Sequence, residues 1–354
     1  MTEQIGAALR LLYPDGRAIT PDSATDDFSL KSLCEDNVYS LTLTPRRAGL
    51  ALAAVEYDIP LPHDLTDVPE ELYIYDDSAY TNDFTSVVPY VGNETRTVYN
   101  LAVFKNLRTR KVFLCGLLTA HRFLAMFNLH DGLVTLRFDL EERELHAGEA
   151  YLLERFMVAE GTDNENVLLE AYGDAVAACN GARPDKPLPV GWCSWSCYYG
   201  NVNEEKIRRA ADGQATYTRA GESNLIQIDD GWQRCGSFCG KWVPDDTKFP
   251  SGLEATGQYV RDRGMTFGLW LAPWLLDDKS DYYGELKHLA REEATLGEHY
   301  HPFELGDPRY LAHLSATFRE MTERYGARYF KLDFLAAAIR FFNGRGDFIR
   351  FRDG

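Results

Sequence analysis

Two rhythms divide the chain. Over residues 1 to about 160, apolar and polar positions alternate in short runs bounded by turn residues, the period of half-buried strands. "NVYSLTLTP" (37–45), "LALAAVEYDI" (50–59), "ELYIYDD" (71–77), "TRTVYNLAVF" (95–104) and "KVFLCGLL" (111–118) are rich in β-branched and aromatic residues and predict strands. "FLAMFNLHDGLVTLRFDL" (123–140) predicts a hairpin that turns at Asp131-Gly132, a pair suited to the positive φ angles of a two-residue loop. Strands at this spacing without intervening helices predict an antiparallel β-sandwich over 1–162. The period then lengthens. In "NENVLLEAYGDAVAACNGA" (164–182), Val167, Leu168, Ala171 and Ala175 share one helical face and Gly181 closes the helix. With the Pro-rich "RPDKPLPV" (183–190) as a linker, helix and linker span 163–188.

From residue 189 onward, strand and helix alternate. "VGWCSW" (190–195), "NLIQIDDGW" (224–232), "MTFGLWLAP" (265–273) and "RYFKLDF" (328–334) predict strands. Between them, "NEEKIRRAADGQA" (203–215), "SGLEATGQYVRDRG" (251–264) and "DPRYLAHLSATFREMTERYG" (307–326) predict helices. In the last, Asp307 is the expected N-cap and Pro308 the first helical residue. Leu311, Leu314, Phe318 and Met321 form the apolar face, and Gly326 is the stop. Four alternations of this kind mean parallel βα units.

Chemistry enters at the strand ends. Lys331 and Asp333 stand two positions apart in an otherwise apolar run, so their side chains leave the strand on the same face. Alone, the pair is equally well read as a salt bridge. Yet Trp195, then Asp229-Asp230, then Trp270 occupy the same place on the other three strands. In a βα-barrel that rim holds the active site, which moves Asp333 to a functional reading. Core packing remains the alternative for each tryptophan taken singly.

Composition narrows the partners. The formal net charge of −17 repels nucleic acid and anionic membranes, whereas a neutral ligand is compatible with it. The N-terminus has no basic stretch followed by a long apolar one, and no run of about 18 apolar residues is present, so a signal peptide and a membrane span are not expected. Seven scattered cysteines fit reduced thiols and a cytoplasmic location better than a disulfide framework. Cys193 with Cys197 and Cys235 with Cys239 are two C-x-x-x-C pairs, but neither has zinc-ribbon spacing or a nearby His, so no metal is expected.

Taken together, "GWCSW" (191–195), "IQIDDGWQ" (226–233), "GLWLAP" (268–273) and "YFKLDF" (329–334) resemble the family 36 α-galactosidases of glycoside hydrolase clan D. The resemblance covers about residues 187–337 and implies a β-sandwich followed by a (β/α)8 TIM-type barrel. It implies hydrolysis of terminal α-galactosides of the melibiose and raffinose type by a retaining mechanism. In that reading Asp333 is the nucleophile and Lys331 hydrogen-bonds the sugar and keeps Asp333 ionised. Asp229 and Asp230 accept from galactose hydroxyls, Trp195 and Trp270 wall the sugar, and no cofactor is required. A homo-oligomer is compatible with it. Two positions depart from the family pattern: Gly240-Lys241-Trp242 stands where an aspartate often precedes the tryptophan, and Ser196 where an aromatic residue is common.

A barrel of this kind takes about 250 residues, while about 165 follow the linker, enough for four βα units. Only 21 residues follow Asp333, and the family's acid/base aspartate lies on a later strand; neither Asp347 nor Asp353 reads as that group. The expectation is a fragment, a sandwich plus half a barrel, inactive alone on ordinary disaccharides. A transglycosylase or raffinose-synthase-like enzyme, an α-N-acetylgalactosaminidase, and a non-catalytic sugar-binding protein are the competing readings.

Overall fold

The computed structural model describes residues 9–20, 26–76, 86–90, 92, 95–183, 185, 188–217, 224–292 and 299–335. These fall into two compact units, one up to residue 183 and the other from residue 185. No helix among them is long and apolar enough to cross a membrane.

The first unit is two antiparallel sheets around one core. One sheet runs, in order, Ala18–Ile19, Leu9–Leu12, Ala54–Pro60, Leu133–Asp139, Leu124–His130 and Arg96–Val98. The other runs Tyr151–Leu152, Val38–Pro45, Phe156–Thr162, Lys111–Leu117, Leu101–Asn106, Leu72–Asp76 and Ser86–Pro89, with Phe28–Glu35 also paired to Val38–Pro45. Alternation puts Phe127 and Phe138 from the first sheet against Phe104, Phe113 and Phe156 from the second, and all five are fully buried. Burying each such ring contributes about 1.5–3 kcal/mol. The hairpin turns where expected: Asp131 and Gly132 both have positive φ, and His130 pairs with Leu133.

Two local expectations needed correction. "TRTVYNLAVF" is not one strand: Arg96–Val98 pairs in the first sheet and Leu101–Asn106 in the second. Alternation is a local signal, and it carries no record of a change of partner at Tyr99-Asn100. The helix Glu165–Asn180, capped by Asn164 and stopped by a left-handed Gly181, turns inward only half of the expected face. Leu168, Tyr172, Ala175 and Cys179 pack on Val103, Val112, Leu114 and Ala159 of the second sheet, while Val167 and Ala171 are exposed. Apolar residues nearly surround this helix, so the surface it meets selects the face.

The second unit holds a four-stranded parallel sheet ordered Gly191–Cys193, Leu225–Ile228, Thr266–Leu271 and Tyr329–Leu332. Leu225–Ile228 is buried at every position and Thr266–Leu271 at five of six, as expected for strands covered on both faces. Helices Glu204–Tyr217, Leu253–Arg261 and Pro308–Glu323 fall between the strands in sequence. Asp307 caps the last by accepting from the Arg309 N–H at 2.8 Å. Tyr310, Phe318 and Met321 face the core, whereas Leu311, expected among them, is exposed. The chain turns back at Gly326, where φ is +71° and a Cβ would collide with the Arg261 guanidinium. An additional antiparallel pair, Leu275–Asp277 with Tyr300–Pro302, lies between the third and fourth parallel strands.

Candidate active site

Parallel register brings the carboxyl ends of the four strands level, so residues distant in sequence meet there. Lys331 follows Phe330 on the fourth strand, and its ammonium lies 2.8 Å from Asp229 Oδ2, which projects just beyond the second strand. The same ammonium lies 3.8 Å from Asp333 Oδ2. Of its two carboxylate neighbours, Asp229 is the closer.

Asp229 is 2% exposed. Its Oδ2 accepts from Lys331, from the Gln227 amide at 3.1 Å and from the Cys193 thiol at 3.3 Å, and its Oδ1 accepts from the Asp230 N–H at 3.0 Å. Burial pushes the carboxyl's pKa up, but Lys331 and the other donors outweigh it and hold Asp229 below the ordinary carboxylate range. Lys331 is correspondingly raised: burial works against its charge, and bonding to Asp229 prevails. Both groups are therefore ionised at neutral pH. Asp229 is a poor proton donor and a good anchor for a cation.

Asp333 is more open, with 42% of its side chain accessible. Its Oδ2 accepts from the Trp270 indole N–H at 3.0 Å and its Oδ1 from the Phe334 N–H at 2.8 Å. Phe334 itself takes a left-handed backbone conformation, with φ +56°. Trp270 itself is 1% exposed and lies between Trp242 and Phe334, at centroid distances of 5.8 and 6.4 Å. What Trp270 presents at the strand end is its N–H rather than a ring face.

The side chains of the remaining expected residues point elsewhere, although the Asp230 N–H bonds Asp229. Asp230 turns to its own loop, where the Gln233 amide and the Ser237 hydroxyl bond its two oxygens at 2.6 and 2.5 Å. That turn requires Gly231, at φ +107°, because a Cβ there would lie 2.4 Å from the Gly200 carbonyl oxygen. Trp195 is 39% exposed and packs edge-on against Tyr199. Lys241, the departure from the family pattern, carries its own counter-ion in Glu285 at 2.9 Å. Asp347 and Asp353 lie outside the described residues.

Gln227, Cys193 and Ser194, whose hydroxyl accepts the Asp229 N–H at 2.8 Å, were not anticipated. A signal for one of them existed: Gln227 is polar in a wholly buried strand and two residues before Asp229, hence on its face. All seven cysteines are free thiols, and no three His, Cys, Asp or Glu side chains converge on a metal position among the described residues.

Residues 172–334 match the Melibiase family model. Over 145 residues the chain is 28% identical to the α-galactosidase AgaA of Geobacillus stearothermophilus, covering 39% of this chain and 19% of that one. It is 33% identical over 84 residues to an α-galactosidase of Coffea arabica, covering 23% of this chain and 22% of that one. Among solved structures, α-galactosidase TtGalA of Thermus thermophilus, in complex with p-nitrophenyl α-D-galactopyranoside, aligns with a TM-score of 0.60 at 19% identity, covering 88% of this chain and 64% of that one. A variant of AgaA in complex with 1-deoxygalactonojirimycin aligns with a TM-score of 0.68 at 15% identity, covering 92% and 54%. The chain thus has the fold of family 36 α-galactosidases, is α-galactosidase-like in sequence, and spans less than two thirds of the length of these relatives.

Proposed function

From this likeness we propose that the protein acts on terminal α-galactosides of the melibiose and raffinose type by a retaining mechanism, with Asp333 as nucleophile. The observation that carries the reading is the state of Asp333: an accessible carboxylate at a parallel strand end, both oxygens oriented by fixed N–H donors, with the Lys331 ammonium 3.8 Å away. A carboxylate so placed attacks the anomeric carbon, the leaving group departs, and a glycosyl ester forms. Lys331, held by buried Asp229, orients a sugar hydroxyl beside it, and Asp230 and the accessible Trp195 complete the rim. Asp229 is not the acid, because it is held ionised. No described residue is assigned that role. Complexes of the relatives with raffinose and stachyose support the substrate class.

A donor with an excellent leaving group tests the first step without an acid. The full chain is incubated with a fluorinated α-galactosyl fluoride and its mass is followed, with peptide mapping of the adduct. One galactosyl-derived group on Asp333, absent from Asp333→Asn, is expected. An unlabelled chain, or a label elsewhere, refutes the assignment.

A further inference from the structure

We propose that Trp270 is a positioning residue for Asp333, acting through its indole N–H rather than through contact of its ring with the sugar. The inference rests on Asp333 being the nucleophile. A ring 1% exposed has no face to offer a ligand. The Trp270 ring is held by its aromatic neighbours. Trp242 meets it at 70° with centroids 5.8 Å apart, and Phe334 meets it at 88° with centroids 6.4 Å apart. A rotation of the indole would break these contacts, so the N–H is a fixed donor. It points at Oδ2, while the N–H of the next residue, Phe334, holds Oδ1, so the carboxylate plane is set by one donor from the neighbouring parallel strand and one from the chain just after the fourth strand. A nucleophile oriented before substrate arrives meets the anomeric carbon with less reorganisation.

The two roles for Trp270 predict different kinetics. In the labelling reaction, the Asp333 oxygen bonds to the anomeric carbon as the carbon–fluorine bond breaks and fluoride leaves, with no proton transfer. Trp270→Phe keeps a buried aromatic ring and removes the N–H. The expected result is a roughly tenfold fall in the maximal labelling rate, with the donor concentration at half-maximal rate changed less than twofold. The other charges facing Asp333 are unaltered: Lys331 on its own strand, and Asp229 with the Cys193 thiol behind it.

A second readout needs no variant at Trp270. In 15N-labelled protein, one of the six tryptophan indole N–H signals should shift strongly between wild type and Asp333→Asn, because its acceptor changes from a carboxylate to an amide. A tenfold weaker half-saturation with an unchanged maximal rate, or six indole signals indifferent to Asp333, overturns the inference while leaving the nucleophile in place. A wild-type chain not labelled at Asp333 removes the nucleophile assignment and this inference together.

Discussion

Each unit buries one carboxylate to 2% exposure, and the two are used in opposite ways. In the first unit Glu154 accepts four bonds: from the Thr119 hydroxyl at 2.6 Å, and from the backbone N–H groups of His121, Arg122 and Phe123 at 2.8, 2.6 and 2.8 Å. Burial disfavours its charge, but these donors prevail and its pKa is lowered. All four donors belong to one short loop, so Glu154 is a clamp whose acceptor capacity is spent on its own chain. In the second unit Asp229 accepts from an amide, a thiol and an N–H, and also from a cation that is itself 37% accessible. Lys331 in turn approaches Asp333, so a buried charge is linked through a half-exposed one to an open one. Burial depth and a lowered pKa are common to both sites. What differs is where their partners lead, and on the proposed function that difference separates a functional carboxylate from a structural one.

This contrast can be broken by experiment, beginning with the largest effect. Glu154→Ala removes the acceptor of three backbone N–H groups and a hydroxyl, of which the Thr119 hydroxyl and the Phe123 N–H belong to buried residues, each unsatisfied buried group costing about 1–3 kcal/mol. Urea unfolding should lose about 3 kcal/mol or more, while labelling at Asp333 in the folded fraction is unchanged. A stable variant, or one that labels poorly while folded, ends the clamp reading.

Lys331→Met should affect labelling as well as stability. A hydrogen bond to a charged group is worth about 1.5–3 kcal/mol, so labelling of the folded fraction should slow roughly 10- to 100-fold, and the unfolding midpoint should also fall because buried Asp229 loses its cation. A normal labelling rate would make the ion pair structural, like Glu154.

The pH dependence of stability sharpens the comparison further. Glu154 and Asp229 both have lowered pKa values, so their contributions are present above the unfolded carboxylate range, about pH 4, and disappear as pH falls through the folded values. Lys331 is raised, so its contribution is present below about pH 10.4 and disappears as pH rises through its folded value. Glu154→Gln should therefore flatten only the acid side of the urea midpoint against pH, and Lys331→Met both sides. An alkaline effect of Glu154→Gln would contradict the assignment. The smallest effect belongs to Cys193→Ala, which removes a weak thiol donor at 3.3 Å and should lower stability by about 1 kcal/mol or less. A larger loss would give Cys193 a share in holding Asp229 that its geometry does not indicate.

Much of this architecture is legible in the order of the amino acids. The hairpin at Asp131-Gly132, the cap at Asp307-Pro308 and the four parallel strands follow from signals within a few residues of each other. Side-chain alternation also put Lys331 and Asp333 on one face, because a strand has period two whatever surrounds it. Other features depend on partners distant in the chain. The division of 95–104 between two sheets, the inward face of Glu165–Asn180 and the clamp at Glu154 each needed a second segment to define them. The same is true within the site. Which chemical groups stand at the strand ends is a local matter, because periodicity sets the direction in which a side chain leaves its strand. That Lys331 lies closer to Asp229 than to Asp333, and that Trp270 turns its N–H to Asp333 and buries its ring, emerges only when the strands are assembled. Those pairings span 102 and 63 residues, and distance in space across that much chain is set by the register of neighbouring strands, which no local pattern encodes.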